Sequence, residues 1–135
     1  MKAAIDSSSS LATFNGEYSA EAWVEMPIDS RRMGRLVICE VVYSEVSQAF
    51  KKQDVFDGLL KDLGIAFEPI ESVAAWNAGA VFRSYRAAGG PREFLIPDFL
   101  IASHAFIQAD RLLAHDRGYL RRYFKALEVA RPSGI

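Results

Sequence analysis

Four carboxylates in the sequence could act together if the fold brings them to one place. They follow predicted strands or lie on the inner side of predicted helices: Asp6, Glu45, Asp98 and Asp116. Converging carboxylates repel one another unless a cation compensates them, and ligands that are all oxygen suit Mg²⁺ or Mn²⁺. A divalent ion held in this way lowers the pKa of a bound water and stabilises charge on a phosphoryl oxygen. Hydrolysis of a phosphodiester is therefore one chemistry that the four acids would support.

Each acid also has an ordinary explanation. Asp6 could cap the helix that follows it, Asp116 could begin a turn, and Asp98 stands in the first turn of a predicted helix. The helix dipole favours an acid there by about 0.3–1 kcal/mol. Glu45 is harder to explain in this way, because its spacing from neighbouring apolar residues places it toward the apolar side of a helix. A lone carboxylate in such a place should be paired or neutralised. Both interpretations stay open on spacing alone.

The elements that must position these acids alternate along the chain. Strands are predicted at "AAI" before Asp6, at "RLVICE", "IAFEPI" and "RLLAHD", and at "LEV" near the C-terminus. Helices are predicted over 19–31, over "VVYSEVSQAF", over "VFDGLLKDL" up to Gly64, over "SVAAWNAGAVFRSYRAA" with Ser72 as N-cap, and around Pro97. This alternation indicates an α/β fold, a parallel sheet covered by helices on both faces. Functional groups in such folds gather at the carboxyl ends of the strands.

Length and composition predict one domain over residues 1–135. Half of the residues are hydrophobic, and no apolar run approaches the roughly 20 residues that span a bilayer. The N-terminal apolar stretch is too short for a signal peptide. The single cysteine cannot form an internal disulfide, which favours a reducing, cytoplasmic setting.

Charge is divided unevenly along the chain. Residues 1–82 carry seven basic and twelve acidic side chains, a net of −5, whereas residues 83–135 carry nine basic and five acidic ones, a net of +4. The basic part is compatible with a surface that faces a polyanion. A solvated or partner-facing arginine-rich surface would produce the same asymmetry.

Other phosphate-handling classes lack their residues in this chain. A haloacid-dehalogenase-like phosphatase needs a second Asp two residues after the first, where this chain has Ser8. Dinucleotide binding needs a glycine-rich turn after the first strand, where this chain has serines. His115 could touch a substrate because it adjoins Asp116. The remaining candidates are expected to be packing residues, in the core or at an interface: Cys39, His104, Trp23 and Trp76.

The order and setting of the four acids resemble the PIN-domain family, and especially its VapC-type toxins. The match runs from "AAIDSSSSLA" through "VVYSEVSQAF" to "GGPREFLIPDFLIASHAFIQADRLLAHDRGYLRRYF". The last stretch is the most specific, with an Asp that opens an apolar helix, then a strand, then an Asp followed by a basic residue. Ala114 departs from the pattern, since members often carry Thr two residues before the last acid. The missing hydroxyl would loosen a hydrogen bond around a ligand but removes no acid.

The resemblance implies a three-layer α/β/α sandwich with endoribonuclease activity that depends on Mg²⁺ or Mn²⁺. It assigns both catalysis and metal binding to the four acids, Asp6, Glu45, Asp98 and Asp116. Ser8 would support the first acid or a metal-bound water. Arginines of the basic part are candidates to bind RNA phosphates: Arg83, Arg86, Arg92 and Arg117.

The resemblance also implies partners and a biological role. The chain would be the toxin of a VapBC-type toxin–antitoxin system in a prokaryotic cytoplasm, acting on RNA such as tRNA or rRNA. It would form a homodimer and a complex with a cognate VapB-type antitoxin that inhibits it. Two alternatives stay open: a PIN-like nuclease of RNA processing, and a PIN-like interaction module without catalysis.

Overall fold

Short runs of consecutive buried residues form the central sheet. The computed structural model describes residues 1–6, 13–14, 17–18, 34–90, 94–114 and 122–130. Its strands are β1 (Lys2–Ile5), β2 (Thr13–Phe14), β3 (Glu17–Tyr18), β4 (Arg35–Ile38), β5 (Ile65–Phe67), β6 (Arg111–Leu113) and β7 (Val129–Ala130). The central sheet has the order β5-β4-β1-β6-β7 with every pair parallel, and β2 and β3 form a separate antiparallel pair.

Helices cover both faces of this sheet. They are α1 (Glu40–Ser47), α2 (Gln53–Leu63), α3 (Ser72–Ala87) and α4 (Ile96–Gln108). Successive strand residues point to opposite faces, yet Ala3, Ala4 and Ile5 of β1 are all buried, as are Leu36, Val37 and Ile38 of β4. Both faces are therefore covered, and the predicted α/β class with a parallel sheet is confirmed. No helix in the described part of the chain is long and apolar enough to cross a membrane.

The helix signals in the sequence are largely borne out, with differences at the ends. Gly64 ends α2 in the left-handed conformation, φ +71°, as the predicted stop requires. Pro97 stands in the first turn of α4, as predicted. The N-cap of α3 is Glu71 rather than Ser72, which is already inside the helix. The helix predicted over 19–31 lies outside the described residues.

Two strands end earlier than predicted. "RLVICE" ends at Ile38, because Cys39 caps α1 and Glu40 begins it. "IAFEPI" ends at Phe67, because Pro69 has no N–H to continue the ladder and the N–H of Ile70 donates to Glu40 Oε1 at 2.9 Å.

An aromatic cluster joins α3, α4 and the C-terminal segment. Phe99 of α4 is fully buried, with its ring centroid 5.2 Å from those of Phe82 and Tyr85 on α3. Tyr123 and Phe124 of the C-terminal segment also pack on Phe99, with ring centroids 6.4 and 6.5 Å from its own. Residues 122–127 are thereby held against the start of α4.

Of the predicted packing residues, three lie in the described part. Cys39 and His104 are each 1 % exposed, so the packing prediction holds for both. Trp76 is 77 % exposed on α3, so its prediction as a core residue is wrong and only a role at an interface stays open. Trp23 lies outside the described residues.

Candidate active site

The strand order creates a crevice at the carboxyl edge of the sheet. From β1 the chain passes to β4 and β5 on one side, and later to β6 and β7 on the other. In open parallel sheets, ligands bind at the point where the direction of the strand order switches. Here that point lies between the carboxyl ends of β1 and β6, where Ile5 is paired with Leu113.

Asp6 stands at this point. It directly follows β1, and its backbone N–H donates to the carbonyl of Leu113 at 2.9 Å, extending the β1–β6 ladder by one residue. The residue is only 2 % exposed, and Asp6 is the single acidic residue among the fully buried residues of the described part. Burying a carboxylate costs free energy unless a cation or hydrogen bonds compensate it. Asp6 makes interactions within the chain, and its carboxylate at the switch point is of the type that binds divalent cations.

Asp98 lies at the same edge of the sheet because of the direction of α4. Beyond the end of α4, the N–H of Asp110 donates to the carbonyl of Lys2, at the amino end of β1, at 2.7 Å. The helix contacts β1 and β6 and runs antiparallel to them, so its first turn lies toward their carboxyl ends. Asp98 is half-buried there, beside the fully buried Phe99.

The ordinary role expected for Asp98 is also present. Its Oδ2 accepts the backbone N–H of Leu95, the N-cap residue, at 3.0 Å, and its own N–H donates to the Leu95 carbonyl at 3.0 Å. Leucine has no side-chain acceptor, so only the acidic half of a capping box is formed. Asp98 thus fixes the start of α4 with one carboxylate oxygen.

Glu45 is less deeply placed than its spacing predicted. It is half-buried on α1, whereas Val42 and Val46 form the fully buried side of that helix. α1 begins directly after β4 and packs against α4. Glu45 therefore lies on the flank of α1 and not on its core face, which is a correction to the predicted position.

The elements that carry the candidate acids are in contact, but the acids themselves do not form a cluster in the described part of the chain. Asp6 directly follows β1, and Glu45 and Asp98 are carried by α1 and α4; α4 packs against both β1 and α1. Within the described residues, however, no three His, Cys, Asp or Glu side chains form a group that could hold a metal ion. Asp116 and Ser8 lie outside the described residues, as do Arg92, Arg117 and His115.

The two described arginine candidates stand beside the start of α4. Arg83 and Arg86 are exposed on the last turns of α3. The guanidinium of Arg86 lies 5.8 Å from the ring centre of Phe82, and Phe82 in turn packs on Phe99, the neighbour of Asp98. Both cations are thus carried by a part of α3 that packs next to the candidate site.

Sequence reasoning missed a polar cluster that connects distant parts of the chain. Glu68 accepts from the Lys2 ammonium at 2.7 Å, lies 3.0 Å from His104 Nε2, and accepts from Gln108 Nε2 at 3.3 Å. Burial holds the pKa of His104 below its usual value, against the opposing effect of Glu68. Burial works to raise the pKa of Glu68, but Lys2 and His104 outweigh it and the pKa lies below its usual value.

The Cys39 thiol is not a nucleophile candidate in this site. Burial raises its pKa, which keeps the sulfur protonated at neutral pH. This agrees with the packing role that the sequence predicted for it.

The comparisons with known proteins agree with the fold. A family model described as the PIN domain matches residues 3–125. The solved structure of VapBC2 from Rickettsia felis, bound to a DNA fragment from its promoter, is similar with a TM-score of 0.63. That similarity covers 96 % of this chain and 97 % of the other at 16 % sequence identity, which is a likeness of fold. No curated protein matches the chain in sequence. Because the family model spans most of its length, the chain belongs to the PIN domain family.

Proposed function

We propose that this chain is a divalent-metal-dependent endoribonuclease, the toxin component of a VapBC-type toxin–antitoxin system. PIN domains are typically nucleases. The observation that carries the proposal is Asp6, a buried carboxylate at the switch point of a parallel sheet in a PIN domain. Ligands bind at that edge in open parallel sheets, and a carboxylate is the ligand type that Mg²⁺ and Mn²⁺ prefer.

The donors fit Mg²⁺ or Mn²⁺ in type, since they are all carboxylate oxygens. Asp6 would hold the ion from the end of β1, with Asp98 and Glu45 contributing from α4 and α1. Asp116 would supply a further ligand three positions beyond the end of β6, and Ser8 would support Asp6. When bound, the ion would lower the pKa of a water and compensate charge on the phosphodiester.

The chain's own residues would orient the substrate. Arg83 and Arg86 would neutralise phosphates of an RNA strand that enters beside the start of α4, and Arg92 and Arg117 would do the same. The logarithm of the binding constant falls linearly with the logarithm of the salt concentration, and each phosphate contact makes this slope steeper by about one. In an Arg83→Gln, Arg86→Gln double variant, the slope for RNA binding should therefore be shallower by about two.

The test of catalysis is cleavage of RNA with and without Mn²⁺ or Mg²⁺. We expect cleavage that requires the ion and that falls by about a hundredfold or more in Asp6→Asn and Asp98→Asn. Asp62→Asn, an exposed acid on α2, is the matched control and should cleave as the unmodified chain does. Unchanged cleavage in both active-site variants would contradict the mechanism.

The toxin role and its partners need a separate test. We propose that the chain arrests growth when expressed, by cutting tRNA or rRNA, and that a small neighbouring gene encodes a VapB-type antitoxin that relieves the arrest. Co-expression of the two should restore growth and yield a stable heterocomplex, while the toxin alone forms a homodimer. Cleavage without growth arrest would point instead to an RNA-processing nuclease.

A non-catalytic interaction module is the second candidate, and Ala114 favours it. This residue is 1 % exposed, with its N–H donated to the Ala130 carbonyl at 2.9 Å, so a methyl group stands where related toxins often carry a hydroxyl. Isothermal titration with Mn²⁺ separates the two candidates. Binding that disappears in Asp6→Asn supports the nuclease, and no binding at millimolar Mn²⁺ supports the module.

A further inference from the structure

A second cleft lies between α1, α2 and β5, and none of the candidate acids Asp6, Glu45 and Asp98 lines it. It encloses about 610 Å³ and is lined by Glu40, Tyr43, Ser44, Gln53, Asp57, Leu60, Lys61, Ile65 and Phe67. Its apolar wall is aromatic, because the ring centroids of Tyr43 and Phe67 lie 5.3 Å apart at an interplanar angle of 83°. Phe67 is half exposed, so this wall faces solvent.

The polar groups of the cleft are acceptors more than donors. Asp57 Oδ1 accepts the Tyr43 hydroxyl at 2.6 Å, and the same hydroxyl oxygen accepts from Gln53 Nε2 at 3.2 Å. Glu40 Oε1 accepts the Ile70 N–H. Among the described residues, the second carboxylate oxygens of Asp57 and Glu40 accept no hydrogen bond. The lining thus combines an aromatic wall with two carboxylates, each of which has one oxygen available to accept a hydrogen bond.

The charge around the cleft favours a cation. The lining carries two acidic side chains, Glu40 and Asp57, and one basic side chain, Lys61. Lys61 is the one cation of the lining, and it stands exposed in the last turn of α2, where a positive charge complements the helix dipole. A guanidinium suits this lining, because it stacks on aromatic faces and donates to carboxylates in a planar fork. A nucleic acid strand would meet the same acids with unfavourable charge.

The cleft also borders an open sheet edge. Within the described residues β5 pairs with β4 alone, and the N–H of Glu68 points back to the Ile38 carbonyl. Backbone groups alternate in direction along a strand, so the N–H and C=O of Phe67 point outward from the sheet. An extended peptide can add a strand to such an edge, with a side chain in an adjoining pocket giving the specificity.

We propose that this cleft is a docking site for an arginine side chain carried on an extended segment of a partner polypeptide. The peptide backbone pairs with the outer edge of β5. The guanidinium enters between the Tyr43–Phe67 wall and the carboxylates of Asp57 and Glu40. The site is independent of the metal-dependent activity proposed above, and its test does not use RNA cleavage.

The experiment is titration of the ¹⁵N-labelled full chain with three seven-residue peptides of alternating valine and threonine. Their central residue is arginine, lysine or citrulline, the neutral isostere of arginine. We expect the arginine peptide to shift the amide signals of Phe67, Tyr43 and Asp57, and to bind about tenfold more tightly than the citrulline peptide. Equal affinity of the arginine and citrulline peptides would overturn the proposal, as would shifts confined to other surfaces.

Substitutions keep the test falsifiable. Asp57→Asn and, separately, Glu40→Gln should each weaken the arginine peptide several-fold while the dispersion of the amide signals shows that the fold is kept. Asp62→Asn, on the same helix but outside the lining, should leave the affinity unchanged. A single-stranded RNA that shifted the cleft signals, with no shift from the arginine peptide, would assign the cleft to nucleic acid and overturn the proposal.

Discussion

Asp98 combines two roles whose contributions can be separated. One carboxylate oxygen fixes the start of α4 through the Leu95 N–H, and the negative charge is the property that a cation would need. Asparagine keeps an oxygen for the Leu95 N–H but has no charge, whereas alanine has neither.

We therefore expect Asp98→Asn to change the free energy of unfolding by less than about 0.5 kcal/mol and Asp98→Ala to lower it by about 1 kcal/mol. Both variants should lose metal-dependent RNA cleavage. Urea unfolding followed by circular dichroism measures the first quantity, and a cleavage assay the second. If only Asp98→Ala lost activity, the capping bond rather than the charge would be the contribution of Asp98.

The contact between the buried His104 and the half-buried Glu68 predicts how the free energy of unfolding depends on pH. The usual pKa is 6.5 for histidine and 4.5 for glutamate, and in the folded chain the pKa of each group lies below that value. The unfolded chain then binds more protons as the pH falls, so acid destabilises the fold. The contribution of His104 to the free energy of unfolding is fully present above pH 6.5. It is lost as the pH falls toward the pKa of His104 in the folded chain. The glutamate part is lost at lower pH.

The measurement is the thermal unfolding midpoint between pH 8 and pH 4. We expect it to fall on acidification in the unmodified chain, and to fall less between pH 7 and pH 5 in His104→Gln, because glutamine cannot take up a proton. Below pH 5 the unfolding midpoint of His104→Gln should still fall with pH, because Glu68 and the other acids take up protons there. An unchanged slope between pH 7 and pH 5 in His104→Gln would show that His104 does not carry this dependence.

At the scale of elements, a buried hydroxyl joins α3 and α4. Ser103 Oγ donates to the Ala74 carbonyl at 2.6 Å and accepts from Asn77 Nδ2 at 2.9 Å, in a place that is fully buried. Since α4 carries Asp98 and α3 carries Arg83 and Arg86, this contact sets the relative position of the acid and the two cations.

Ser103→Ala should lower the free energy of unfolding by about 1–3 kcal/mol, because it removes two hydrogen bonds at a contact between α3 and α4 and leaves the half-buried Asn77 amide without this acceptor. Ser84→Ala is the matched control. Its exposed hydroxyl makes a similar bond, to the Ala80 carbonyl at 3.3 Å, and its loss should cost less than about 0.5 kcal/mol. Equal costs in urea unfolding would show that the α3–α4 contact does not depend on this hydroxyl.

Local chemistry explains which elements could be predicted from the sequence. Gly64 and Pro97 act on their own backbone, so the end of α2 and the start of α4 were readable. The end of β5 was only partly readable, because Pro69 acts locally but the bond between Ile70 and Glu40 joins residues 30 positions apart. The strand order likewise depends on pairing between distant segments. The cluster of Glu68 joins Lys2 and His104 across 66 and 36 positions, which no spacing rule detects.

The same reasoning applies to the candidate site. The place of Asp6 at the carboxyl edge follows from the rule that parallel strands end together, and it was predicted correctly. The depth of Glu45 was not, because α1 is rotated so that Val42 and Val46 face the core and Glu45 stands on the flank. A spacing pattern gives the side of a helix, and the packing of α1 on its neighbours decides its final rotation.

At the scale of the whole molecule, Trp76 is the most exposed large apolar side chain among the described residues. It stands 77 % exposed on α3, one turn from Val73, which is 56 % exposed. We propose that Trp76 and Val73 belong to an interaction surface. The homodimer proposed for this chain gives that surface a second copy as its partner, and a two-fold dimer would bury Trp76 of both copies.

We expect the chain to sediment as a dimer at micromolar concentration and Trp76→Glu to weaken the dimer by about thirtyfold or more, since a buried tryptophan is a common hot spot of interfaces. Val55→Glu, an exposed apolar residue on α2, is the matched control and should leave the association unchanged. Because Trp76 contributes little to the core, the variant should unfold at the same urea concentration as the unmodified chain when both are monomeric. A dimer that Trp76→Glu leaves intact would place the interface on another face, and a chain that is monomeric throughout would remove the homodimer from the proposed assembly.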